Sequence, residues 1–194
     1  MAASLDAAAL KAALGRWADA MQASAAELNE LDGRLGDGDL GATLDKCAAN
    51  VRDALPGMPD APAGIFKACA QACAKASGSS FGTLLAQAFV AAAKRIGPQT
   101  EIQAEELAPL LNEIIAALSA RGGAKLGDKT MLDSLSAIAK ALAAAPEQAD
   151  RAQLAREAAR AALEAYRQRP NKILCPAIGW RADFTRLSGV WRLR

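Results

Sequence analysis

The sequence predicts an all-α protein, an up-and-down antiparallel helical barrel of seven to eight helices. Hydrophobic residues make up 52% of the 194 residues but aromatic residues only 4%, and alanine, the best helix former, dominates. Runs that alternate between apolar and polar residues, as a half-buried strand requires, are nearly absent. Apolar residues with helical spacing instead recur between short breaks, a pattern typical of consecutive antiparallel helices.

The breaks define the elements in order. Ser4 is expected to cap a first helix that ends near Leu31, where an Asp/Gly-rich loop begins. Proline, glycine or polar breaks then separate six further helices, predicted over about residues 41–55, 63–75, 83–95, 103–120, 129–145 and 147–168. Residues 1–170 are predicted to form the barrel, and residues 171–194 an atypical C-terminal segment of the same domain.

Glycine-rich and proline-rich connections alternate along the chain. The first, third and fifth connections, at residues 32–41, 77–82 and 121–130, are rich in glycine, whereas the others carry prolines. In an up-and-down arrangement, alternate connections lie at the same end of the barrel. The three glycine-rich loops are therefore predicted to converge at one end and to form a site there.

The first of these loops concentrates acidic residues. Asp32, Asp37 and Asp39 fall within eight positions and are interleaved with glycines, in the order Gly36-Asp37-Gly38-Asp39-Leu40-Gly41. Clustered carboxylates suit a hard divalent cation, and Mg²⁺ usually completes its coordination shell with water and phosphate oxygens. A Mg²⁺–phosphate loop and a solvated interhelical turn with surface acids both fit this motif.

The other two loops have weaker signals. Ser77-Gly78-Ser79-Ser80 precedes a helix, whose free N–H groups suit phosphate, although serine and glycine are also ordinary capping residues. Lys129-Thr130 resembles the end of a P-loop, but Asp128 breaks the required spacing and no strand precedes the loop. Met131 fits either the protein core or a position against an adenine.

Composition excludes several classes of function. The chain has no histidine, so it has no histidine general base and no histidine to hold a substrate. A net charge of +2 with interspersed signs argues against nucleic acid as a partner. The four cysteines form no CxxC pair and are interpreted as free thiols in a cytoplasmic protein. No secretory signal is apparent, and the uncharged run between Lys75 and Lys94 is too polar to favour a membrane span.

Three segments together resemble the motifs of one family. The three segments are similar to the motifs of the small, nucleotide-binding subunit of dihydroxyacetone kinases, and they occur in the same order and at the expected separations. The same module forms the C-terminal domain of the single-chain ATP-dependent enzymes. The resemblance covers about residues 5–170. The segments are Leu28-Asn29-Glu30-Leu31-Asp32-Gly33-Arg34-Leu35-Gly36-Asp37-Gly38-Asp39-Leu40-Gly41, Ala76-Ser77-Gly78-Ser79-Ser80-Phe81-Gly82-Thr83 and Gly127-Asp128-Lys129-Thr130-Met131-Leu132-Asp133.

The resemblance implies an eight-helix barrel that binds ADP or ATP at one rim. It also implies two Mg²⁺ ions that bridge the phosphates to Asp32, Asp37 and Asp39. Residues of the first two loops would hold the phosphates, and residues of the third would contact the rest of the nucleotide. The implied contacts are Leu40, Gly41, Ala42 and Thr43 in the first loop, Ser77, Gly78 and Ser79 in the second, and Gly122, Thr130 and Met131 in the third.

The activity implied by the resemblance is that of a kinase subunit. It would phosphorylate a small ketose or a similar hydroxy-carbonyl compound, held on a histidine of a separate dihydroxyacetone-binding subunit, and would be active only with that partner. No catalytic residue beyond the metal ligands is implied. The resemblance leaves open whether ATP or a phosphocarrier protein is the phosphoryl donor, and whether the chain forms a homodimer.

Two departures from the family pattern bear on this function. Leu40 stands where the family usually has histidine, and the chain lacks the Asp-Pro-Gly motif that closes over the nucleotide. The tail from Pro170 to Arg194 is therefore predicted to be irregular and to retain nucleotide weakly. The alternative to a kinase subunit is a degenerate, non-catalytic nucleotide- and metal-binding module that acts as a regulator or scaffold. A structural bundle without a ligand is a third option, against which the predicted convergence of the loops argues.

Overall fold

The computed structural model describes residues 3–34, 36–76 and 79–167, and these ranges are overwhelmingly helical. The all-α prediction is confirmed, whereas the predicted irregular tail beyond Pro170 lies outside the described residues. The helices are α1 (Ala7–Asp32), α2 (Leu40–Ala54), α3 (Pro62–Lys75), α4 (Ser80–Ile96), α5 (Leu107–Gly122), α6 (Met131–Ala143) and α7 (Arg151–Arg167). Two short strands, β1 (Ser4–Asp6) and β2 (Glu101–Gln103), pair in a two-stranded sheet.

The start of α1 differs from the sequence prediction. Ser4 lies in β1, and Asp6 caps the helix instead, with its carboxylate Oδ1 accepting the Ala9 N–H at 2.8 Å. The prediction that Ser4 is the cap is therefore wrong. Aspartate and serine are equally good N-caps, and the pairing of β1 with β2 keeps Ser4 extended.

Two later helices also begin further along the chain than predicted. The helix α5 starts at Leu107, because the residues before it form β2 and then a 3₁₀ turn over Ala104–Glu106. The helix α7 starts at Arg151, where the Asp150 carboxylate accepts the Gln153 N–H at 2.6 Å. In both cases the local hydrogen bonds of a turn or cap compete successfully with an earlier helix start.

The chain divides into two compact units, Leu5–Ile102 and Met1–Ser4 with Gln103–Arg194. In the first unit α1 packs on α2, α2 on α3, and α3 on α4. Its core combines small and branched residues, and the rings of Phe66 and Phe89 stack with centroids 6.3 Å apart. Side chains that are fully or almost fully buried here include Ala18, Cys47, Ala48, Val51, Ile65, Cys69, Cys73 and Ile96.

The second unit contains α5, α6 and α7, with α6 packed against both of the others. Its core is smaller and consists of leucine, isoleucine and alanine, as the low aromatic content leads one to expect. Thr130 is the buried polar residue of this unit within the described ranges, and it caps α6. The buried hydrophobic residues are Ala108, Leu110, Ile115, Leu118, Leu132, Ala139, Ala149 and Leu154.

Three cysteines lie in the core of the first unit as free thiols. Cys47, Cys69 and Cys73 are buried and unbridged, which confirms their interpretation as structural thiols, whereas Cys175 lies outside the described residues. Burial raises the pKa of the Cys69 thiol to about 12. This thiol therefore stays protonated at neutral pH and is a poor nucleophile. Among the described helices, none has the length and apolar character needed to cross a membrane.

The close contact between α1 and α2 requires glycine at position 41, and this requirement can be tested. A Cβ atom at this position would lie only 1.9 Å from the Ala25 carbonyl oxygen, which belongs to the backbone and cannot rotate away. We therefore expect Gly41→Ala to lower the free energy of unfolding by about 3 kcal/mol or more, because the two helices must separate. Urea denaturation measures the change.

Gly57→Ala is the matched control for this substitution, since nothing lies within 4 Å of the Cβ that it would add. We expect Gly57→Ala to change stability by less than about 1 kcal/mol. Equal effects of the two substitutions would contradict the backbone contact at Gly41.

Candidate functional site

The loop between α1 and α2 is shaped by glycine and by hydrogen bonds back to the end of α1. The Gly33 N–H donates to the Asn29 carbonyl oxygen at 2.8 Å, and the Gly36 N–H donates to the Asp32 carbonyl oxygen at 2.6 Å. Gly38 has a φ of 74°, a left-handed conformation that other residues rarely adopt. The loop thus turns sharply and brings Asp37 and Asp39 back towards Asp32.

The structure gathers the three aspartates of this loop. Asp32, Asp37 and Asp39 each offer a carboxylate oxygen within 4.8 Å of those of the others. Asp32 is half-buried, and the other two are exposed to solvent. We name these three side chains the acid cluster. The structure confirms that they lie together, and their role as metal ligands stays a prediction.

The acid cluster concentrates like charge. The pKa of the Asp39 carboxyl is raised, first by desolvation and then by the negative charges of Asp37 and Asp32. A cation among the carboxylates would reverse this penalty, because an opposite charge nearby favours the ionised form. Hard carboxylate oxygens facing solvent are also the ligands that Mg²⁺ takes while it keeps some of its waters. The residues present therefore fit a bound Mg²⁺ ion.

The N-terminus of α2 is held by side chains from α1. The Asp32 Oδ2 atom accepts the N–H groups of Asp39 at 3.1 Å and Leu40 at 3.4 Å. The Asn29 Oδ1 atom accepts the Ala42 N–H at 3.0 Å. The positive end of the α2 dipole thus lies beside the acid cluster.

Sequence reasoning missed Asn29. Its side chain contacts a residue 13 positions later, and no local pattern encodes that pairing. The available signal was its place three residues before Asp32 in a predicted helix, which puts both side chains on one helix face.

The second loop lies beside the first, within the same unit. Ser79 caps α4 through its hydroxyl, which accepts the Phe81 N–H at 3.2 Å. A Cβ added to Gly82 would come within 3.4 Å of the Thr43 methyl carbon, so the first turns of α4 and α2 are neighbours. The predicted phosphate contacts Ser77 and Gly78 lie outside the described residues.

The third loop ends in a capped helix start. The Thr130 hydroxyl accepts the Leu132 N–H at 3.2 Å. The Asp133 carboxylate accepts the N–H groups of Thr130 at 3.1 Å and Gly127 at 2.7 Å. Lys129 adopts the left-handed region with a φ of 61°, which is uncommon for a residue with a side chain. The hydrogen bonds to Asp133 hold this unfavourable backbone in place.

The remaining predicted contacts of the third loop are placed around its two ends. Gly122 is the last residue of α5, and Met131 is the half-buried first residue of α6. This loop belongs to the second unit, whereas the first two loops belong to the first. The convergence of all three loops at one end therefore stays a prediction.

Comparison with known proteins assigns the family. The family model described as the DAK2 domain matches residues 34–174, which include all the described elements from α2 to α7. The chain belongs to the DAK2-domain family. This assignment confirms the resemblance to the nucleotide-binding subunit of dihydroxyacetone kinases, which the motif sequences indicate.

The relatives are kinase subunits and kinase domains. The chain is 34% identical over 125 residues to the ADP-binding subunit DhaL of the PTS-dependent dihydroxyacetone kinase of Lactococcus lactis subsp. lactis (strain IL1403), covering 64% of this chain and 62% of that one. It is 28% identical over 156 residues to the corresponding DhaL subunit of the PEP-dependent enzyme of Escherichia coli (strain K12), covering 80% and 74%. The chain thus spans about six tenths of the Lactococcus relative.

A solved structure shares the fold. The dihydroxyacetone kinase from C. freundii, crystallised in complex with AMP-PNP and Mg²⁺, superposes with a TM-score of 0.68 at 27% identity. The match covers 84% of this chain but only 30% of that kinase chain. The helical fold is therefore that of one part of a larger enzyme.

The hydrogen bonds of Asp133 make a prediction about stability. Asp133→Ala removes the acceptor for two backbone N–H groups at the start of α6, and we expect it to lower the free energy of unfolding by about 1–2 kcal/mol. Urea denaturation tests this, with Glu147→Ala as a control that removes the same charge from an exposed site. A loss no larger than that of the control would contradict the capping role of Asp133.

Proposed function

We propose that this protein is the nucleotide-binding subunit of a dihydroxyacetone-kinase-like phosphotransferase. It binds ADP or ATP together with two Mg²⁺ ions and presents the nucleotide to a small ketose or similar hydroxy-carbonyl compound held by a partner subunit. The observation that carries the proposal is the acid cluster, which brings three carboxylates within 4.8 Å of one another beside the N-terminus of α2.

The ends of the helices supply the other half of a phosphate site. Nucleotide phosphates are anions, and a helix N-terminus offers both free N–H groups and a positive dipole end. The first turns of α2 and α4 lie side by side, since a Cβ added to Gly82 would come within 3.4 Å of the Thr43 methyl carbon. Leu40, Gly41, Ala42 and Thr43 are thus the proposed phosphate neighbours at the start of α2, and Ser77, Gly78 and Ser79 are the proposed contacts in the second loop.

The chemistry of this site is positional and electrostatic. When bound to the acid cluster, Mg²⁺ neutralises negative charge on the transferring phosphoryl group. The chain would hold the nucleotide in place, and a partner subunit would hold the acceptor on a histidine, a residue that this chain does not contain. This division explains why a dihydroxyacetone-binding subunit is the expected partner.

The phosphoryl donor differs among the relatives. The Lactococcus and Escherichia enzymes are named PTS-dependent and PEP-dependent, whereas the Citrobacter kinase was crystallised with an ATP analogue. Direct use of ATP and recharging of bound ADP by a phosphocarrier protein both require a Mg²⁺–nucleotide site. The acid cluster is therefore needed in either case.

The proposal predicts the effect of removing one charge from the acid cluster. Asp37 is exposed, and we expect Asp37→Asn to weaken Mg²⁺-dependent ADP binding at least about tenfold, or roughly 1.4 kcal/mol. Stability should change by less than about 0.5 kcal/mol, as is usual for a surface substitution. Isothermal titration calorimetry with and without Mg²⁺ measures the affinity.

Asp53→Asn is the matched control, because it makes the same charge change at an exposed position near the other end of α2. ADP affinity should be unchanged in this variant. If Asp37→Asn bound ADP as tightly as the wild type does, the metal assignment would be wrong.

The non-catalytic alternative is favoured by the missing Asp-Pro-Gly motif and by Leu40 in place of the usual histidine. It differs from the kinase subunit in one measurable step. The kinase subunit transfers phosphate to dihydroxyacetone when it is combined with a dihydroxyacetone-binding subunit of a relative. A regulator or scaffold binds Mg²⁺–ADP without this transfer.

A further inference from the structure

We propose that Asn29 is a positioning residue that sets the geometry of the acid cluster. This inference rests on the proposed function, because it concerns how the chain prepares the same metal site. Asn29 lies on α1 and is not one of the proposed metal ligands, but its side chain accepts the Ala42 N–H and so holds the first turn of α2, which Asp39 precedes.

The acid cluster is divided between two helices. Asp32 is the last residue of α1, and Asp39 is the residue that precedes the first turn of α2. The distance between these two carboxylates therefore depends on how firmly the end of α1 is attached to the start of α2. A cation that needs near-ideal octahedral geometry, as Mg²⁺ does, is sensitive to such a distance.

Three residues on one face of α1 contact the start of α2. Ala25, Asn29 and Asp32 are spaced four and three residues apart, so they lie in a row along the helix. The Ala25 carbonyl lies against Gly41, the Asn29 side chain accepts the Ala42 N–H, and Asp32 accepts the Asp39 and Leu40 N–H groups. The row is continuous, since the Asn29 Oδ1 atom is only 2.8 Å from the Cβ position of Gly41.

Asp32 cannot perform this task alone. Its Oδ2 atom already accepts two backbone N–H groups, and its carboxylate is also required as a metal ligand. If α2 were held less firmly, the Asp32 carboxylate would have to move with it, and it would then lose either its hydrogen bonds to α2 or its position as a metal ligand. The neutral amide of Asn29 supplies a further acceptor without adding a fourth negative charge near the acid cluster.

The test compares two asparagines that make the same kind of contact. Asn29 joins α1 to α2, and Asn50 joins α2 to α3 by donating from its side-chain nitrogen to the Ala72 carbonyl at 3.1 Å. Asn50 lies eight residues beyond Ala42 on α2, or about 12 Å away along the helix axis. Asn29→Ala and Asn50→Ala each remove one interhelical hydrogen bond, but only the first is beside the acid cluster.

The probe is Mn²⁺ alone, whose binding to the full chain is followed by electron paramagnetic resonance without nucleotide or partner. We expect Asn29→Ala to weaken Mn²⁺ binding about tenfold, and Asn50→Ala to leave it unchanged although both lower the melting temperature. Amide hydrogen exchange at Ala42 should accelerate in Asn29→Ala alone. Asn29→Asp restores an acceptor at the same position and should recover the slow exchange at Ala42.

The outcomes separate this inference from the proposed function. Unchanged Mn²⁺ affinity in Asn29→Ala, together with weaker binding in Asp37→Asn, would overturn the positioning role and leave the metal site intact. Unchanged affinity in both variants would overturn the metal site itself. If Asn29→Ala does not fold, Asn29→Gln replaces it, since the longer side chain displaces the acceptor oxygen while keeping the amide. Wild-type Mn²⁺ affinity in Asn29→Gln, in spite of faster exchange at Ala42, would likewise overturn the inference.

Discussion

The backbone contact between α1 and α2 is the constraint on which the candidate site depends. Gly41 brings the start of α2 so close to α1 that any side chain would overlap the Ala25 carbonyl oxygen. This approach puts the N–H groups of the first turn of α2 within reach of Asn29 and Asp32. The same residues that close the helix pair therefore determine where the carboxylates lie.

The acid cluster illustrates how a fold can hold like charges together. Three neighbouring carboxylates repel one another, and the pKa of Asp39 is raised by desolvation first and by this repulsion second. Tight glycine turns and hydrogen bonds to the backbone keep the three carboxylates together. Strained or repulsive groups that the surrounding structure holds fixed are common at functional sites, which agrees with the proposed metal site.

Much of this arrangement could be read from the sequence. The spacing of Asp32, Asp37 and Asp39 among glycines predicted their proximity, because a short glycine-rich loop between two helices cannot place them far apart. The breaks at glycine and proline also predicted the helices, within a few residues at their ends.

What could not be read depends on contacts between distant parts of the chain. Ser4 and Asp6 are equivalent caps locally, and the pairing of β1 with β2 decides between them. The role of Asn29 requires knowledge that α2 returns to α1 at Ala42. The capping by Asp133 follows the local Thr-x-x-Asp pattern, but its second bond, to Gly127, depends on the folded loop.

The central claim is that the acid cluster and a nucleotide phosphate share one cation. Electron–nuclear double resonance on the wild-type protein, loaded with Mn²⁺ and ADP, tests it most directly, because phosphorus nuclei couple to Mn²⁺ only at coordination distance. With the protein in excess over Mn²⁺, we expect a phosphorus coupling on the protein-bound ion that appears on addition of ADP and that is weaker in a sample of Asp37→Asn at the same concentrations. Bound Mn²⁺ with no phosphorus coupling in the presence of saturating ADP would contradict a shared metal–phosphate site.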